Sequence, residues 1–119
     1  MVELECVRGD DNVYNLSVVR NNAAVNISGA KLWFTAKHDQ DDPDTLAVIK
    51  LNSADNPGQI SLVDQVHGLA SITLKPADTV LLEETALWYD VQMKESTGRV
   101  TTIVSGILKI TKDVTASVA

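Results

Sequence analysis

The chain is 119 residues long, 45% apolar and only 4% aromatic, with a formal net charge of −6. That length reads as one domain, 1–119, able to bury roughly two-thirds of its unfolded surface without a disulfide or structural metal. The negative charge, with no basic patch visible along the chain, argues against nucleic acid and anionic membrane surfaces as partners, and no apolar run approaches the ~20 residues of a membrane span.

Val2 to Arg8 alternates and predicts a first strand at a sheet edge, with Glu3 and Glu5 guarding it against pairing with other chains. The same N-terminus has no basic region and no apolar run, so it does not read as a secretory leader. Cys6, the only cysteine, falls in this alternation and reads as a buried structural thiol in a reducing compartment. Gly9 to Asn12 is a turn. Val13 to Arg20 predicts a second strand with Tyr14, Leu16 and Val18 on one face. Asn21 and Asn22 form a hairpin turn pair, since Asn tolerates positive φ.

The stretch Ile27 to Lys37 organises the chain. Ser28-Gly29 opens it, and Leu32, Phe34 and Ala36 then alternate with Lys31, Thr35 and Lys37. Trp33 is the one large apolar residue out of step. An acidic loop, Asp39 to Thr45, follows; Leu46 to Leu51, Gln59 to Val63 and Leu69 to Leu74 predict short strands. Pro76 to Leu82 is the single helix candidate, with Pro76 in its first turn. Ala86 to Glu95 is the longest alternation, with Leu87, Tyr89, Val91 and Met93 inward and Trp88, Asp90, Gln92 and Lys94 outward. Ser96 to Arg99 turns it into a closing strand, Val100 to Thr111, in which Gly106 signals a bulge or a close backbone approach. The segment 113–119 reads as a frayed tail or linker stub.

Short strands at spacings of roughly ten residues, separated by turn chemistry, predict an all-β sandwich or barrel. Strand parity favours a sandwich with a core of Leu16, Val18, Leu32, Phe34, Ile60, Leu62, Ile72, Leu74, Tyr89 and Val91.

Chemistry is scarce. Asp39, Asp41, Asp42 and Asp44 are close together, but Pro43 interrupts them and no Gly or later Glu completes a calcium loop, so they read as solvated. His38 and His67 have no cysteine or second histidine at ligand spacing, and read as a strand-end and a turn residue. No nucleophile elbow or phosphate loop is present. Arg8-Gly9-Asp10 spells an adhesion tripeptide but sits where turn chemistry explains it. Glu83 and Glu84 lack a cleft across which carboxylates could act on a sugar. No catalytic residue, cofactor or metal is therefore assigned. Trp33 and Trp88 both take the outward parity of their strands. They predict burial in a protein interface or under a loop, ahead of a sugar-stacking platform.

The ordered set Gly9-Asp10-Asp11, Leu16, Val18, Asn26 to Thr35, Leu74 to Thr79, Tyr89-Asp90-Val91-Gln92 and Gly98 to Thr115 resembles the immunoglobulin-like modules of tailed-phage and prophage virions. Among such modules it looks like the N-terminal domains of baseplate upper proteins and related tail or fibre proteins. The resemblance covers about Arg8 to Thr115. It implies an immunoglobulin-like antiparallel β-sandwich of about seven to nine strands with at most one short helix. It also implies a non-catalytic virion part, made in a bacterial cytoplasm and acting through contacts with itself and other virion proteins (tail, baseplate, neck or capsid-associated). A carbohydrate- or host-surface-binding module is the alternative. Asp78 or Glu84 before Ala86-x-Trp88-Tyr89 is a loose counterpart of the tyrosine corner, and the disulfide cysteines of that fold are absent.

Overall fold

A computed structural model describes residues 2–112. The segment expected to be a tail or linker stub, 113–119, lies outside the described residues. The elements are β1 (Leu4–Val7), β2 (Asn12–Ser17), β3 (Val19–Arg20), β4 (Ala23–Ala24), β5 (Lys31–Lys37), a 3₁₀ turn (Asp44–Leu46), β6 (Ile49–Asn52), β7 (Ile60–Asp64), β8 (Leu69–Leu74), α1 (Pro76–Thr79), β9 (Thr85–Lys94) and β10 (Val100–Thr111). One sheet has the order β1-β10-β9-β5-β6 and the other β2-β8-β7, with β3 and β4 as a separate two-stranded ladder.

This is an immunoglobulin-like β-sandwich. β5, β9 and β10 take the places of the strands conventionally called C, F and G, β6 that of C′, and β2, β8 and β7 those of B, E and D. Pairing is antiparallel except at one edge, where β1 runs parallel to β10 with Leu4 opposite Leu108 and Val7 opposite Thr111. The parallel edge was not legible from alternation. The edge position itself was, and the Tyr14 hydroxyl donates to the Glu5 carbonyl at 2.7 Å along it.

The core forms where the inward parities meet. Leu32, Phe34 and Ala36 of β5 are fully buried beside Leu87, Tyr89, Val91 and Met93 of β9. The Phe34 and Tyr89 rings stack with centroids 5.7 Å apart. Ile60, Ala70, Ile72 and Leu74 close the core from the other sheet. Asn21 and Asn22 have φ of 53° and 63°, the left-handed pair that turns β3 into β4.

Several expectations need correction. Leu16 and Leu62 are only half-buried; in β7 the register shifts between Ser61 and Asp64 and turns Leu62 partly out of the core. Ile27, the start of the organising stretch and not among the expected core residues, is fully buried, and its amide donates to the Gln65 carbonyl at 2.8 Å. Leu46 does not begin a strand. The Lys37 ammonium holds the Asp42 carbonyl and the Asp44 carboxylate, each at 2.8 Å, so the loop tightens into a 3₁₀ turn and leaves Leu46 60% exposed. The helix is shorter than expected and ends at Thr79; its N-terminus is capped by the Asp78 carboxylate, which accepts the Lys75 amide at 2.8 Å and the Gln59 side-chain amide at 2.7 Å.

Tyr89 is no tyrosine corner. Its hydroxyl donates to the Val2 carbonyl at 2.6 Å, locking the N-terminal segment rather than the connection before β9. Gly106 lies under that segment. A Cβ there would collide with the Val2 carbonyl oxygen, so the close-approach reading holds. The bulge in β10 falls instead between Thr102 and Val104.

Candidate contact face

The outward parity of β5 and β9 builds one face of the five-stranded sheet, and cross-strand register arranges it in rows. Trp33 stands opposite Gln92, Thr35 opposite Asp90, and Lys37 opposite Trp88. On the flanks, Lys50 of β6 pairs with Thr35, and Ser105 and Ile107 of β10 pair with Asp90 and Trp88. Trp33 and Trp88 therefore share the face but do not touch. Four residues of strand rise separate them, about 13 Å, with the Thr35–Asp90 row between. Together they bound an open depression of about 610 Å³ that Thr35, Lys37, Lys50 and Asp90 also line.

Neither tryptophan is buried beneath a loop. Trp88 is 37% exposed. Trp33 is half-buried, and the Lys31 ammonium lies 4.9 Å from its ring centroid, a cation–π contact. Burial raises the Asp90 carboxyl above its ordinary value; Lys37 pulls it back and Asp44 adds to the rise.

The face also collects positive charge that reading the chain in one dimension missed. Lys31 and Lys37 of β5, Lys50 of β6, Lys94 of β9 and Lys109 of β10 all take outward parity on this sheet. Five of the seven lysines thus share one face of a chain with net charge −6. Glu5, opposite Lys109, Asp90, and Asp44, which pairs with Lys37, are carboxylates among them. No linear basic run exists because β-strand parity spaces these lysines, and only the partition of strands into sheets brings them together. Two of them, Lys31 and Lys94, are directly opposed across β5 and β9.

The other candidates stay apart. His38 is exposed just past β5, and His67 pairs its Nδ1 with the Asp64 carboxylate at 2.8 Å in a surface turn. In the acidic loop the carboxylates cap their own backbone, the Asp39 side chain accepting the Asp41 amide at 3.0 Å. Among the described residues no group of three His, Cys, Asp or Glu side chains gathers to hold a metal ion. Arg8-Gly9-Asp10 is a turn fastened to the connection after β8. The Gly9 amide donates to Thr79 Oγ1 at 2.9 Å and Arg8 Nη1 to the Leu82 carbonyl at 3.3 Å. Cys6 is buried, and desolvation raises its thiol pKa.

No protein-family model matches the sequence, and no curated protein matches it. Among solved structures, murine CRIg aligns over 93% of this chain and 92% of its own, at 11% identity and a TM-score of 0.42.

Proposed function

We propose that this chain is a non-catalytic structural domain that works by protein–protein contact through the outer face of its five-stranded sheet, as a part of a tailed-phage or prophage virion. The observation that carries the contact reading is the pair Trp33 and Trp88. Both stand on one outward sheet face, in a chain that has no other tryptophan. Large aromatics left outside a core mark surfaces that become buried against something else. The virion assignment rests on the ordered residues from Gly9 to Thr115 that resemble phage immunoglobulin-like modules. On this reading the partners are further copies of the chain and other virion proteins.

Light scattering across a concentration series tests the contact. The wild-type protein assembles, alone or with the products of neighbouring virion genes, and Trp33→Ala/Trp88→Ala does not. Assembly untouched by that double substitution counts against the face.

A second reading has a specific observation behind it. The two rings flank a polar floor of Thr35, Asp90 and Gln92, an arrangement that suits sugar rings stacked on tryptophan with hydroxyls bonded below. Glycan-dependent change in tryptophan fluorescence favours that reading, and its absence across an array removes it.

A further inference from the structure

We infer that the occupant of this face is a second copy of the chain, presenting the acidic pole formed by the turn after β1 and the connection between β8 and β9. The inference rests on the contact reading above and names its partner.

The pole is a physical unit. The bonds from Gly9 to Thr79 and from Arg8 to Leu82 dock the turn 8–11 onto the segment 75–84. Asp10, Asp11, Glu83 and Glu84 are all exposed there. At its tip Leu81 is 91% exposed and Val80 52%. Asp10, Asp11, Asp78, Glu83 and Glu84 outnumber Arg8 and Lys75 on these two segments, so the pole joins exposed apolar residues to a net negative charge. The face offers a depression between two tryptophans, lined by Lys37 and Lys50 together with Asp44 and Asp90, with Lys31 and Lys94 opposed on the same face beyond it.

Charge selects between the two ways copies could meet. Face against face would set five lysines against five, with Glu5, Asp90 and the Lys37-paired Asp44 to offset them on each copy, so the remaining positive charge opposes the two-fold contact. Pole against face pairs opposite signs and buries Leu81 against tryptophan. The Lys31–Lys94 opposition supports this independently. Like charges directly across a ladder destabilise a sheet, so the pair is a cost to the free domain that an acidic partner would relieve. Pole-to-face contact is heterologous, so successive copies close into a ring or continue as a filament.

Complementary charge reversal tests the inference. The variants are Lys50→Glu/Lys94→Glu on the face and Glu83→Lys/Glu84→Lys on the pole, studied by sedimentation velocity at low salt. Each variant alone is expected to associate roughly tenfold or more weakly than wild type. Mixing the two variants is expected to restore association, because each reversed patch meets its reversed complement. Circular dichroism on each variant separates lost docking from lost folding, and recovery on mixing requires both to be folded. If the pole variant associates like wild type while the Trp33/Trp88 variant does not, the face is an interface and the pole is not its occupant. A wild type that stays monomeric at all concentrations also overturns the self-docking, and leaves contact with a different protein to be tested by itself.

Discussion

Lys31 and Lys94 stand directly opposite each other across β5 and β9, on the solvent side of the sheet. Directly opposed like charges cost roughly 0.2–1 kcal/mol relative to a neutral pair, and the Lys31 ammonium turns over Trp33 rather than toward its neighbour. Lys94→Glu converts the pair to an attractive one. It is expected to raise stability by about 0.5 kcal/mol in urea denaturation while weakening assembly in light scattering. Opposite signs in the two measurements would mark the opposition as kept for binding. A loss in both would make it structural.

The N-terminal segment is locked from two sides, by the Tyr89 hydroxyl on the Val2 carbonyl and by the bare backbone of Gly106 beneath it. Gly106→Ala forces a Cβ into that carbonyl and is expected to cost roughly 2–4 kcal/mol, with faster hydrogen exchange at the Val2 amide. Tyr89→Phe removes only the hydrogen bond and should cost about 1 kcal/mol. A Gly106→Ala cost below that of Tyr89→Phe would contradict the close approach.

The Phe34–Tyr89 stack and the Trp33/Trp88 pair separate folding from contact on the same two strands. Phe34→Ala is expected to lose about 3–5 kcal/mol in thermal or chemical unfolding, as a fully buried ring deleted from a packed core. Trp88→Ala, on the other side of the sheet, should change stability by no more than about 0.5–1 kcal/mol. Equal losses at the two positions would place Trp88 in the core.

Asp90 sets a pH dependence. Burial holds its carboxyl above the ordinary value of 3.8. The folded state therefore binds this proton more tightly than the unfolded state, and ionisation costs stability. The stabilising effect of protonation is complete below the unfolded value and fades as pH rises through the raised folded value. Asp90→Asn is expected to melt higher than wild type at pH 7, and the gap between the two should shrink on acidification below 3.8. A gap that is absent at neutral pH, or that widens in acid, would contradict the burial.

The strands carrying the core were legible because one buried face imposes period two. Leu32, Phe34 and Ala36, and Leu87 through Met93, declared their side without any tertiary information. Parity also placed Trp33 and Trp88 outward. Three things were not legible, for separate physical reasons. The parallel pairing of β1 with β10 leaves the same alternation as an antiparallel one. The burial of Ile27 comes from a loop folded against the turn at Gln65, which has no period. The lysine face is a property of the sheet rather than of the chain, since Lys31, Lys50, Lys94 and Lys109 meet only when β6, β5, β9 and β10 line up. The turn at Leu46 was decided by one side chain, Lys37, reaching forward to the Asp42 carbonyl and the Asp44 carboxylate.

Trp33 and Trp88 are the only tryptophans in the chain, and both stand on the proposed contact face, so selectively excited tryptophan fluorescence reports on that face. The direct measurement is acrylamide quenching across a concentration series, with light scattering on the same samples to register assembly. Contact through this face predicts that, as mass rises, emission shifts to the blue and quenching falls. Growth in mass with unchanged emission and quenching would contradict it, because the assembly would then use some other surface.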